Sequence, residues 1–190
     1  MTKRAPIRQL PSAEFLRSVL DYNPETGALV WRAKPTTSKA NKCFNTKYEG
    51  KPAGSLTVGR PDGSNRYIVV GMRCDGVYNQ FQSHRIIWKM VTGEEPPDFL
   101  DHGDGDELNL KWENFRSATN GQNIQNSKLR KDNKSGVKGV CWDAYHAKWV
   151  AHIGINGKQT KLGRFNSIVE AAEIVNAARA KMHGEFSRFE

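Results

Sequence analysis

Between Ser117 and Gly136 the chain carries almost no apolar side chain and is rich in Asn, Gln, Lys and Ser. A hydrophobic core cannot run through such a stretch, so the 190 residues are expected to fold as two small units. The polar stretch itself reads as a short helix running into a linker. The organisation expected is a first domain over 1–126, a basic linker over 127–134 and a second domain over 135–190.

Within the first domain, Phe15, Leu16, Val19 and Leu20 recur at helical spacing over 13–20. Asn23-Pro24-Glu25-Thr26-Gly27 marks a turn, and Leu29-Val30-Trp31 a short strand. Residues 33–52, rich in Lys, Thr, Asn and Ser, read as a loop. Tyr67 to Met72 and Val77 to Gln82 read as a hairpin around Asp75-Gly76. Ile86, Ile87, Met90 and Val91 predict a helix over 84–91, stopped near Gly93 and Pro96-Pro97. In the second domain, three strands are expected over 137–142, 148–155 and 159–165, with Asn156-Gly157 as a hairpin signal. A helix over 168–182 comes last, with Ser167 and Glu170 as a capping box and Ala171, Ala172, Val175, Ala178 and Met182 as its apolar face. The fold class expected is α+β.

Lys and Arg number 29 against 20 Asp and Glu, a net charge of +9. That excess favours a polyanionic partner, because phosphates release counterions when basic side chains neutralise them. No run approaches the ~18 apolar residues of a membrane span, and Met1 to Leu10 lacks the apolar segment of a secretory signal. Cys43, Cys74 and Cys141 form no CxxC pair, so reduced, packed thiols and an intracellular location (bacterial or phage-infected host cytoplasm) are expected.

Against this basic background stands an acidic island: Asp98, Asp101, Asp104, Asp106, Glu107 and Glu113. Oxygen ligands gathered in this way suit a hard divalent cation, and they equally suit a solvated loop. The order of residues adds information. Asp101-His102-Gly103-Asp104-Gly105-Asp106, then Trp112-Glu113-Asn114-Phe115-Arg116, then Asn120-Gly121-Gln122-Asn123 resembles the signature of HNH endonucleases, the ββα-metal nucleases of phages and mobile elements. The resemblance covers 84–123, and Asn23 to Trp31 also fits that family.

By that resemblance, Asp101 is a carboxylate metal ligand and His102 the general base that takes a proton from water. Asn114, grouped with His102 as catalytic, ties the hairpin loop together. Asn123 completes the metal site from a helix, where the family often has His, which favours Mg2+, with Mn2+ as substitute, over Zn2+. His84 is a supporting residue. A rival reading keeps this segment as the scaffold of a non-catalytic DNA-binding regulator.

Ser135-Gly136-Val137-Lys138-Gly139-Val140, Lys148-Trp149, Lys161-Leu162-Gly163-Arg164-Phe165 and Glu170-Ala171-Ala172 look like the AP2 domain, a three-stranded antiparallel sheet with one helix. That resemblance implies a sheet laid against double-stranded DNA. Strand alternation places Val140, Trp142, Trp149, Ala151 and Ile153 under the helix. It leaves Lys138, Cys141, Asp143, Lys148, His152 and Lys161 outward. Lys128, Arg130, Lys131, Lys134, Lys138, Lys148, His152, Lys158 and Lys161 are the candidate DNA contacts.

Overall fold

The computed structural model describes residues 9–58, 66–74, 76–130, 132–155 and 157–187. Contacts divide the chain into two compact units, Met1–Arg116 and Ser117–Glu190, ahead of the 126/127 boundary expected from composition. A local reason is visible in the second unit. Lys138 Nζ donates to the carbonyls of Gln125 (2.8 Å) and Ser127 (2.5 Å), tying the polar stretch to the sheet-forming segment beyond it.

The first unit begins with helix α1, Ala13–Val19, capped by Ser12, whose hydroxyl accepts from the Phe15 N–H at 3.1 Å. Strands β1 (Leu20–Tyr22) and β2 (Leu29–Trp31) pair antiparallel, joined by a turn in which Asn23 Oδ1 accepts from the N–H groups of Glu25 and Thr26. Helix α2, Lys39–Tyr48, occupies the segment expected as a loop. Its sequence lacks an apolar stripe and no residue in it is buried. It is held instead by the Ser38 cap, by Asn45, which exchanges two hydrogen bonds with the Lys34 backbone, and by Phe44 set against Trp31.

Three strands then form an antiparallel sheet in the order β3 (Ser55–Val58), β4 (Arg66–Cys74), β5 (Val77–Gln82). Of the hairpin signal between the last two, Asp75 lies outside the described residues. Helix α3, Ser83–Thr92, comes directly after β5 and ends on Gly93, which takes φ 81°, a conformation only glycine adopts cheaply. Strand β6 (Leu100–His102) pairs with β7 (Phe115–Ser117), and one 3-10 turn, Trp112–Asn114, leads into β7. The core of this unit gathers Leu16, Leu20, Val70, Ile86 and Ile87, all fully buried. Each such side chain contributes roughly 1.5–3 kcal/mol by leaving water.

In the second unit, helix α4 (Asn120–Gln125) carries a full capping box between Thr119 and Gln122. Strands β8 (Val140–Asp143), β9 (Lys148–Ile155) and β10 (Lys158–Phe165) form an antiparallel sheet with β9 in the middle. Of the second hairpin signal, Asn156 lies outside the described residues. Helix α5, Ile168–His183, covers the sheet with Ala171 and Val175.

Two expectations for α5 need correcting. Ser167 accepts from the Val169 N–H and no capping box with Glu170 forms. Met182 is half exposed, and the inward position one turn before its end belongs to Arg179, which donates to the Lys138 carbonyl. Trp142 shares the helix-side register with Trp149 and Phe165, yet it is half exposed. The thiols of Cys43 and Cys141 are also exposed rather than packed.

Candidate active site and basic surface

The candidate site of the first unit is built on β6 and β7. Successive residues on a strand point to opposite sides, and both strands show it. His102 lies against Phe115, with ring centroids 5.3 Å apart, while Asp101 is gripped by Arg116. Nε and NH2 of Arg116 approach Asp101 Oδ2 at 2.9 and 2.8 Å. Asp101, His102 and Asn114 are all buried.

Asn114 ties the intervening loop down at three points. Its Oδ1 accepts from the Asp104 N–H (3.0 Å), its Nδ2 donates to the Asn109 carbonyl (3.0 Å), and its own carbonyl accepts from Gly103 (2.8 Å). Burial acts to raise the Asp104 carboxyl, but hydrogen bonds from Asn109 Nδ2, the Asp106 N–H and Asn114 hold it below the usual range. The acidic island is thus a hydrogen-bonded loop in which Asp104 also serves as an internal acceptor.

His84, the second residue of α3, stands with its ring 5.3 Å from that of His102 and 6.1 Å from Tyr67. Burial lowers its pKa to about 3, helped by the neighbouring His102 and Arg85. Burial also lowers the pKa of His102, opposed by the carboxylates Asp101, Asp104, Glu107 and Asp106. Both imidazoles are therefore neutral at pH 7.

This burial has a consequence for stability. The unfolded chain takes up a proton at His84 near pH 6.5, whereas the folded chain resists it down to about 3. Stability is therefore level above pH 6.5 and falls as pH drops through the window between the two values. At pH 5 the loss from this residue is expected to be about 2 kcal/mol. Urea unfolding of wild type and His84→Gln at pH 7 and pH 5 checks it: the wild type should lose that much more than the variant.

Among the described residues, no three His, Cys, Asp or Glu side chains converge as a metal cage. An Asp–Asn site completed by water lies outside that pattern, and its donors, a carboxylate and an amide oxygen, suit a hard divalent cation. Asp101 belongs to the first unit; Asn123 is an exposed residue of α4 in the second. Arg116 escaped sequence reasoning, although alternation from Phe115 would have turned it toward Asp101.

Of the candidate DNA contacts, Lys128, Arg130, Lys134, Lys158 and Lys161 are exposed, and Lys148 and His152 half-buried. Lys131 lies outside the described residues. Arg130 forms a bidentate pair with Asp132, and the Lys138 ammonium is engaged by two carbonyls. Cross-strand register places Cys141, Val150 and Arg164 on one face, together with the pairs Asp143–Lys148 and His152–Lys161. Arg164 is a second residue that sequence reasoning left out of the basic surface. Residues 117–190 hold twelve Lys and Arg against six Asp and Glu, so most of the chain's positive excess sits in the second unit.

Residues 81–125 match the family model described as HNH endonuclease. No solved structure matches the chain. An uncharacterized HNH endonuclease of Acanthamoeba polyphaga mimivirus is 33% identical over 110 residues, which is 57% of this chain and 56% of that protein. Protein 3.8 of Escherichia phage T7 is 32% identical over 117 residues, 59% of this chain and 96% of that protein. The chain therefore belongs to the family of phage T7 Protein 3.8 and carries an HNH endonuclease segment, the mark of a nuclease, across residues 81–125.

Proposed function

We propose that the chain is a divalent-cation-dependent DNA endonuclease that hydrolyses phosphodiester bonds and is brought to double-stranded DNA by its basic second unit, read as AP2-like. The observation that carries this reading is the placement of His102. It is a buried imidazole, neutral at pH 7, next to a buried carboxylate on one short strand within the HNH segment.

In this reading His102 accepts the proton of the attacking water, and the loop fixed by Asn114 keeps that ring in place. His84 supports the ring from α3. Asp101 and Asn123 would hold the cation, with Mg2+ or Mn2+ favoured by an all-oxygen donor set. When bound, such a cation neutralises charge gathering on the phosphate. Lys128, Arg130, Lys131, Lys134, Lys138, Lys148, His152, Lys158 and Lys161 contribute to the field that attracts the DNA backbone.

Supercoiled plasmid incubated with protein tests the proposal. Relaxed or linear product is expected with Mg2+ and none with excess chelator. Cutting undiminished by chelator would remove the cation from the account.

One observation favours the rival, a DNA-binding regulator on an HNH scaffold. The Asp101 carboxylate is already neutralised by Arg116, as suits a side chain kept for structure. Tight DNA binding without cutting on any DNA or with any divalent cation would decide for it.

A further inference from the structure

One aromatic side chain stands apart from the rest of the surface. Tyr145, at the tip of the β8–β9 hairpin, is 92% exposed, while the next large apolar side chains among the described residues, Ile124 and Val169, reach 61%. An aromatic ring left in water contributes nothing to the core, and exposed rings on a basic surface are what nucleobases stack on.

The tip is also held firmly. Strands β8 and β9 close at Asp143 opposite Lys148, leaving four residues, 144–147, in the turn. The Asp143 carboxylate accepts from the His146 N–H (3.3 Å) and lies 2.8 Å from His146 Nδ1. It also takes a hydrogen bond at 3.0 Å from Arg164 Nε, which reaches over from β10 on the far side of β9. Ala147 closes the turn at φ 50°, a left-handed conformation that an alanine adopts only under constraint. The Tyr145 and His146 rings stand at 79° with centroids 4.8 Å apart, which leaves at least one face of the tyrosine open. The backbone that carries the ring is therefore ordered before any ligand binds.

We propose that Tyr145 stacks on an unpaired nucleobase, so that the second unit prefers DNA containing an unstacked base to an intact duplex. This rests on the DNA-binding reading above and sharpens its substrate. Stacking one ring returns about as much as separating two stacked bases costs, so insertion into an intact duplex gains nothing net. A base that is already unpaired, in a bulge, flap or single strand, carries no such cost.

The test uses the full chain in chelator, so that no strand is cut, with two fluorescent oligonucleotides. One carries 2-aminopurine in a single-base bulge; the other carries it paired in an otherwise identical duplex. Wild type should bind the bulged DNA about tenfold more tightly and quench its fluorescence. Tyr145→Ala should lose the quenching and the preference while binding the intact duplex as before, and Tyr145→Phe, which keeps the ring, should retain both. Preference and quenching that survive in Tyr145→Ala would overturn the proposal. So would an equal loss on both DNAs, which would make the tyrosine a general backbone contact. Absence of wild-type binding to either DNA would instead bring down the DNA-binding reading together with it.

Discussion

His102→Ala is expected to slow strand scission by about 10²–10⁴-fold, the usual contribution of a positioned general base, while DNA affinity stays unchanged. The split follows from where the residue sits. His102 is buried against His84 and Phe115 in the first unit, whereas the candidate phosphate-binding lysines all belong to the second. Removing the imidazole also empties space beside Phe115, so His102→Asn, which keeps a polar side chain of similar length, belongs beside it. Both variants should bind DNA in a mobility-shift assay and fail to relax plasmid with Mg2+. Equal cutting by wild type and both variants would take proton transfer away from His102.

Gly139→Ala carries the largest stability loss expected in the second unit, about 3 kcal/mol from a strained backbone and overlap combined. Gly139 takes φ 80°, and a Cβ there would lie 2.5 Å from the His152 carbonyl oxygen and 3.1 Å from Arg179 NH2. The carbonyl belongs to the central strand and accepts no shift without breaking the sheet. Gly139 itself also accepts from the His152 N–H at 2.7 Å, so the two segments are pinned together. The core beneath is small, Val140, Ala151, Ala171 and Val175 with five half-buried neighbours, and it has little to spare. For a unit of this size the midpoint of thermal unfolding should fall by roughly 15 °C. An unchanged midpoint, measured by calorimetry, would mean that residues 137–140 do not pack as described.

Much of the scaffold was legible because burial writes itself into periodicity. Ile86, Ile87 and Met90 announced α3, alternation announced β9, and Gly93 announced a helix end. Helix α2 was not legible, since its cohesion comes from Asn45 and Phe44 reaching back to Lys34 and Trp31 rather than from an apolar stripe. Strand β1 was hidden for a different reason: its pairing partner β2 lies across a turn, and three residues are too few for a period to show.

At the candidate site, the sequence named Asp101, His102 and Asn114, and the Asn114 amide hydrogen-bonds the backbone of Asp104 and Asn109 in the loop before it. Alternation turns Arg116 toward Asp101 only once β7 is known to lie beside β6, and the burial of His84 could not be read from spacing. An ion pair depends on which strand lies opposite, and burial on what packs above. Arg179 makes the same point in the second unit. A charged residue at an inward helical position looks like an interruption of the apolar face until its carbonyl partner is known.

The two exposed thiols give the protein a use that needs a single substitution. Cys43 lies in one unit and Cys141 in the other, with Cys74 more sheltered. Maleimide dyes can thus be attached once on each half, after Cys74→Ser for clean stoichiometry. Energy transfer between them then becomes a ruler for the distance between the halves, read before and after magnesium and an oligonucleotide are added together.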